Sequence, residues 1–84
     1  MSGTLDLTNA HAVIAVINVH SVGDISMVIP LDGTQSVYGH IKYNDNFWAS
    51  VKLQLTASNG QYTISFDAKG SSVSTFDYAY FYRL

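Results

Sequence analysis

Trp48 is the only tryptophan of the chain, and Tyr43, Asn44, Asp45 and Asn46 stand just ahead of it in "YNDNFWASVKLQLT". From Phe47 onward the residues alternate. Phe47, Ala49, Val51, Leu53 and Leu55 make one series and Trp48, Ser50, Lys52, Gln54 and Thr56 the other. The indole ring therefore falls on the polar side of a strand. Two uses suit a ring in that position. It can pack over a barrel end or a sheet edge, with its N–H donated to a nearby carbonyl. It can also serve as a platform for a sugar, whose apolar C–H patches stack on an electron-rich ring. The hydroxyls of such a ligand want short amide and carboxylate partners, which lose little entropy on binding. This second use gives a candidate ligand set of Trp48, Tyr43, Asn44, Asp45 and Asn46. Tyr38 and His40 join its rim if segments 35–43 and 47–56 pair as a hairpin. The same Asn/Asp cluster is also ordinary turn chemistry, and a self-association contact or a membrane-interface anchor would equally use an exposed tryptophan.

Other chemistry has little to work with. His11, His20 and His40 lack zinc-ligand spacing. They read as surface or strand-end residues, with a pH response through them left open. One carboxylate between two amides is thin for a calcium loop. No paired carboxylates flank a cleft, no nucleophile-elbow pattern occurs, and a domain this small seldom encloses a pocket of enzyme size. The expectation is a non-catalytic protein with no catalytic residues, no metal and no cofactor.

Composition narrows the partners. The 84 residues carry no cysteine and no Glu, and only 12% are charged, with a net charge of −2. Disulfides and thiolate metal sites are excluded. Four cationic side chains cannot neutralise a run of phosphates, so nucleic acid is not expected. An anionic membrane would gain little from them either, so a membrane is possible but not indicated. The opening "MSGTLDLTNA" lacks a basic start and an apolar run, and "AVIAVINV" is too short to cross a bilayer. The location to expect is cytoplasmic, or outside the cell by a route without an N-terminal signal. Scarce charge with abundant Ser, Thr, Asn and Tyr is similar to the composition of small fungal and bacterial lectins, a likeness with no shared motif behind it.

The elements that must position these residues are strands. Period-two alternation predicts seven, over roughly 4–8, 11–20, 24–31, 35–43, 47–56, 61–68 and 73–83. Turn residues separate them: "VGD" at 22–24, Asp32–Gly33, "NDN" at 44–46, Asn59–Gly60 and "KGSS" at 69–72. Such short connections favour antiparallel neighbours. Pro30 points to an edge or a bulge. The fold class that follows is all-β, a single antiparallel β-sandwich or small barrel of about seven short strands, with residues 1–84 as one domain. Two strands are apolar on both sides. Val13, Ala15, Ile17 and Val19 oppose Ala12, Ile14 and Val16, while Phe76, Tyr78, Tyr80, Tyr82 and Leu84 oppose Val73, Ala79 and Phe81. A two-layer fold covers one face of each sheet, so a second copy is the simplest cover for the other. The expectation is a lectin-like, carbohydrate-binding domain made multivalent as a homo-oligomer. The alternatives are a self-assembling structural or membrane-active, pore-forming subunit, or a small protein-binding module.

Overall fold

In a computed structural model, residues 1–68 and 73–84 are described. Seven strands are present among the described residues: β1 (Ser2–Thr4), β2 (Ala12–Val19), β3 (Gly23–Pro30), β4 (Ser36–Asn44), β5 (Phe47–Thr56), β6 (Gln61–Ala68) and β7 (Phe76–Arg83). They form two antiparallel sheets, a four-stranded one in the order β1-β6-β5-β4 and a three-stranded one in the order β3-β2-β7. The all-β sandwich expected from the alternation is what is observed. The turn expected at 69–72 lies outside the described residues.

The inner faces meet in one apolar core. Val13, Ala15, Ile17 and Val19 of β2 pack with Ile25, Met27 and Ile29 of β3, and opposite them stand Ala49, Val51, Leu53 and Leu55 of β5 with Ile64 of β6. Such alternation buries one side of each strand, and burial of a Val, Leu or Ile side chain contributes about 1.5–3 kcal/mol. Aromatic pairs close the β6–β7 side. Phe66 stacks on Phe76 at 4.2 Å between ring centroids, and Tyr62 meets Phe81 at 4.5 Å. On the other side β4 lies against β3, where an added Cβ at Gly39 would stand 2.6 Å from Ile25 Cδ1. The absence of a side chain at Gly39 allows that close approach.

Several expectations need correction. The first strand is Ser2–Thr4, paired with β6, and not 4–8. Leu5 and Leu7 do reach the core, but the segment crosses between sheets as a loop. Asp6 Oδ1 accepts bonds from Thr8 N–H and Thr8 Oγ1, which turns the chain. Alternate burial under a crossing loop produces the same pattern as a strand. The β2–β3 hairpin turns over residues 20–22, with Ser21 in the left-handed region, so Gly23 opens β3. Asp32–Gly33 does not join paired strands. The connection carries the chain from the three-stranded to the four-stranded sheet, held by bonds from Thr34 N–H and Oγ1 to Asp32 Oδ1. Pro30 does end an edge strand, as its missing N–H requires.

The last strand begins at Phe76 and not at 73, and bulges account for the remaining differences of face. Between Asn18↔Tyr78 and Val19↔Phe76, β7 has Asp77 as an extra residue. The bulge turns Phe76 inward with Ala79 and Phe81, away from the face of Tyr78, Tyr80 and Tyr82 that the simple alternation assigned to it. A second bulge, at Asp67, puts Ala68 opposite Ser50 on the outer side. A third lies in β4 and bears on the site.

Candidate functional site

The four-stranded sheet turns its polar side outward. On it Tyr38 stands opposite Lys52, His40 opposite Ser50 and Lys42 opposite Trp48. The hairpin of 35–43 with 47–56 that the sequence reading required is present, and it is closed by a two-residue turn at Asp45 and Asn46. Asn44 builds that turn, because its Oδ1 accepts bonds from Asn46 N–H and Phe47 N–H, both at 2.9 Å. This is the mimicry of a backbone acceptor that makes Asn a turn former.

At this end of the sheet His40, Lys42, Asp45 and Trp48 line an open depression of about 270 Å³. Trp48 is half-buried. Its ring lies 5.8 Å from that of His40 and is tilted by 35° to it, the diagonal contact of neighbouring strands. His40 Nδ1 and Ser50 Oγ are 3.1 Å apart, in a bond whose donor depends on the imidazole tautomer. Lys42 Nζ reaches Asp45 Oδ1 at 2.8 Å and spans the rim as an exposed ion pair. Farther along, Lys52 Nζ stands 5.8 Å from the centre of the Tyr38 ring. A half-buried aromatic floor with donors and acceptors around its edge can stack an apolar patch and bond the polar groups beside it.

The candidate residues of the sequence separate into groups. Trp48, His40 and Asp45 are brought together. Tyr38 shares their face two residues from His40 but does not line the depression. Tyr43 is the extra residue of the third bulge, between Lys42↔Trp48 and Asn44↔Phe47, and is 71% exposed outside the depression. Asn44 spends its carbonyl on the turn, and Asn46 gives its backbone N–H to it. Lys42, Ser50 and Lys52 were not in the expected set. Their signal was present, since they alternate with the core residues on the same side as Trp48.

The opposite outer face has another character. Ile14, Val16, Val28, Tyr80 and Tyr82 lie side by side there, with Val28 52% and Tyr80 and Tyr82 each 56% exposed. At one end Asp24 Oδ1 accepts from Asn18 Nδ2 and from Tyr78 Oη, each at 2.8 Å. The bonds from Asn18 and then Tyr78 hold the Asp24 carboxyl below the usual carboxylate range, and the same bond to Asp24 holds the Tyr78 phenol above its ordinary value. This cluster could not be found locally, because its members come from three strands.

Among the described residues no three His, Cys, Asp or Glu side chains gather where they could hold a metal ion, and no polar or charged side chain is buried. No helix of the described residues is long and apolar enough to cross a membrane. No protein-family model, curated protein or solved structure matches the chain.

Proposed function

We propose that the protein is a non-catalytic carbohydrate-binding domain whose saccharide stacks on Trp48, and that it self-associates through the outer face of the three-stranded sheet. The observation that carries this reading is the half-buried Trp48 ring, tilted against His40 on a polar sheet face with the Lys42–Asp45 pair at its rim. A sugar offers what such a site takes, an apolar ring face ringed by hydroxyls. Trp48 supplies the stacking surface, Asp45 accepts from hydroxyls, and Lys42 and His40 bond to oxygen atoms of the ligand.

The test is a glycan-array screen followed by titration of the hits against the wild type and Trp48→Ala. Glycan binding by the wild type that is lost in a folded Trp48→Ala variant supports the reading. A wild type that binds no glycan, together with loss of assembly in Trp48→Ala, would favour the rival. That rival is a structural or membrane-active subunit, or a protein-binding module, and the apolar outer face with its exposed tyrosines is what favours it.

A further inference from the structure

The polar face does not end at the depression. Along β5 the outward residues run from Trp48 through Ser50 and Lys52 to Gln54, about 20 Å at ~3.4 Å per residue. Beyond Gln54 a cleft of about 310 Å³ opens between the β3–β4 and β5–β6 connections, with Thr34, Gln35, Thr56 and Ser58 among its lining. Along β5 the track is polar between its rings, Trp48 and Tyr38, and the cleft mixes these polar residues with Leu55 and Ala57.

Charge on this track is uneven. Lys42 is paired with Asp45. Arg83, on the other sheet, lies 3.7 Å from Asp6 and donates to the Thr8 carbonyl. Among the described residues Lys52 makes no ion pair, although the chain as a whole is negative. It is held instead over the Tyr38 ring, midway along the track. Asp24 and Asp6 are engaged by neighbours elsewhere, and Asp32 by Thr34 beside the cleft. A cation over an aromatic face is attracted to it while its outer side stays open to an anion.

We propose that the ligand is a linear anionic oligosaccharide, lying along the outer face of β4 and β5 with one sugar on Trp48 and an acidic group on Lys52. This rests on the carbohydrate reading and adds the ligand's charge and its extent. The acidic group is a uronate carboxylate or a sulfate ester, since both offer oxygens to an ammonium.

The experiment follows titration with tetragalacturonate, its methyl ester and a sulfated tetrasaccharide by isothermal titration calorimetry, at low ionic strength. The acid and the ester share one backbone and differ at the carboxyl, where the ester removes the charge and adds a methyl group. One exposed charge contact supports a preference of several-fold, up to about five-fold, for an acidic probe. Added salt should erode the preference. Lys52→Gln should abolish the preference, bringing the acidic probe level with the ester, whereas Lys52→Arg should keep it. Preference for tetragalacturonate assigns the carboxylate, and preference for the sulfated probe alone assigns the sulfate. Equal binding of all three, lost in Trp48→Ala, would overturn the anionic ligand and leave the carbohydrate reading standing. No binding of any probe or of any arrayed glycan would overturn both. Displacement of the acidic probe by a single-stranded oligonucleotide at equal concentration would also overturn the proposal, because the face would then select charge and ring stacking without regard to sugar.

Discussion

Replacing Trp48 by Ala tests whether the ring is a surface platform or a piece of the core. A fully buried Phe or Trp cut to Ala costs about 3–5 kcal/mol. Trp48 is half-buried, and among the described residues those that line the depression with it are His40, Lys42 and Asp45 on an outer face, none of them a buried core residue. Lysine and aspartate side chains at a surface can close over the gap, so the cavity contribution is small. With half the ring already in water and little cavity left, the expected cost is less than half the buried value, roughly 1–2 kcal/mol. For a domain of this size that lowers the melting temperature by about 4–16 °C. Leu53, 1% exposed in the middle of the same strand, is the internal standard. Leu53→Ala removes fewer atoms but leaves a sealed cavity, and it should cost about 2–5 kcal/mol. Urea titration of both variants and the wild type, followed by far-ultraviolet circular dichroism, measures the two costs on one scale. Equal or greater destabilisation by Trp48→Ala would refute the reasoning, because a platform cannot hold the fold as firmly as the core does.

Two further outcomes follow from local geometry. Gly39→Ala should destabilise by about 1–3 kcal/mol through overpacking against Ile25, and adding Ile25→Val, which removes the clashing Cδ1, should recover part of the loss in the same urea titration. The carboxyls of Asp6, Asp24 and Asp32 are held below their ordinary range by bonds from Thr8, Asn18 and Thr34 respectively. Their stabilisation is thus present above the unfolded carboxylate value of about 3.9 and is lost as pH falls through the lower folded values. Thermal melts across pH should show these carboxyls contributing a decline only on the acid side, and Asp24→Asn should make that decline shallower. A decline that Asp24→Asn leaves unchanged would rule out the Asp24 contribution.

Which parts of this structure were legible in the sequence depended on how far apart the determining residues lie. Strands β3 to β6 were readable because each carries its own alternation, β2 because it is a short apolar run between turn residues, and the meeting of Trp48 with His40 was readable because they sit on strands joined by a two-residue turn. The crossing loop at Leu5–Thr8 mimicked a strand, because alternate burial is all that a periodicity records. The bulges at Tyr43, Asp67 and Asp77 were invisible. A bulge is a mismatch between two strands, and neither strand carries it alone. For that reason Phe76 was assigned to the wrong face and Tyr43 to a site it does not line. The Asp24–Asn18–Tyr78 cluster was out of reach for the same cause, since its residues become neighbours only after β2 has paired on both sides.

The two outer faces also decide what self-association would achieve. The outer face covers three strands of eight residues, roughly 400 Å² in plan at ~3.3 Å per residue and ~4.8 Å between strands, and the Asp24–Asn18–Tyr78 cluster leaves less than that apolar. A standard protein interface takes about 800 Å² from each partner. The contact should therefore be weak and concentration-dependent, with dimers forming at micromolar levels and above. Packing through this face puts each Trp48 site on the far side of its own sandwich, so the two sites of a dimer would point in opposite directions. Such a dimer joins separate particles and gains little by gripping a single surface twice. The consequence is measurable. The wild type should agglutinate glycan-coated beads, and Val16→Asp, which puts a charge in the centre of the apolar face, should run as a monomer by light scattering and fail to agglutinate. Its affinity for a single soluble glycan should match the wild type, because Val16 and Trp48 stand on opposite faces of the fold. Agglutination by a Val16→Asp protein shown to be monomeric would place a second glycan site on the same chain and end the case for assembly through this face.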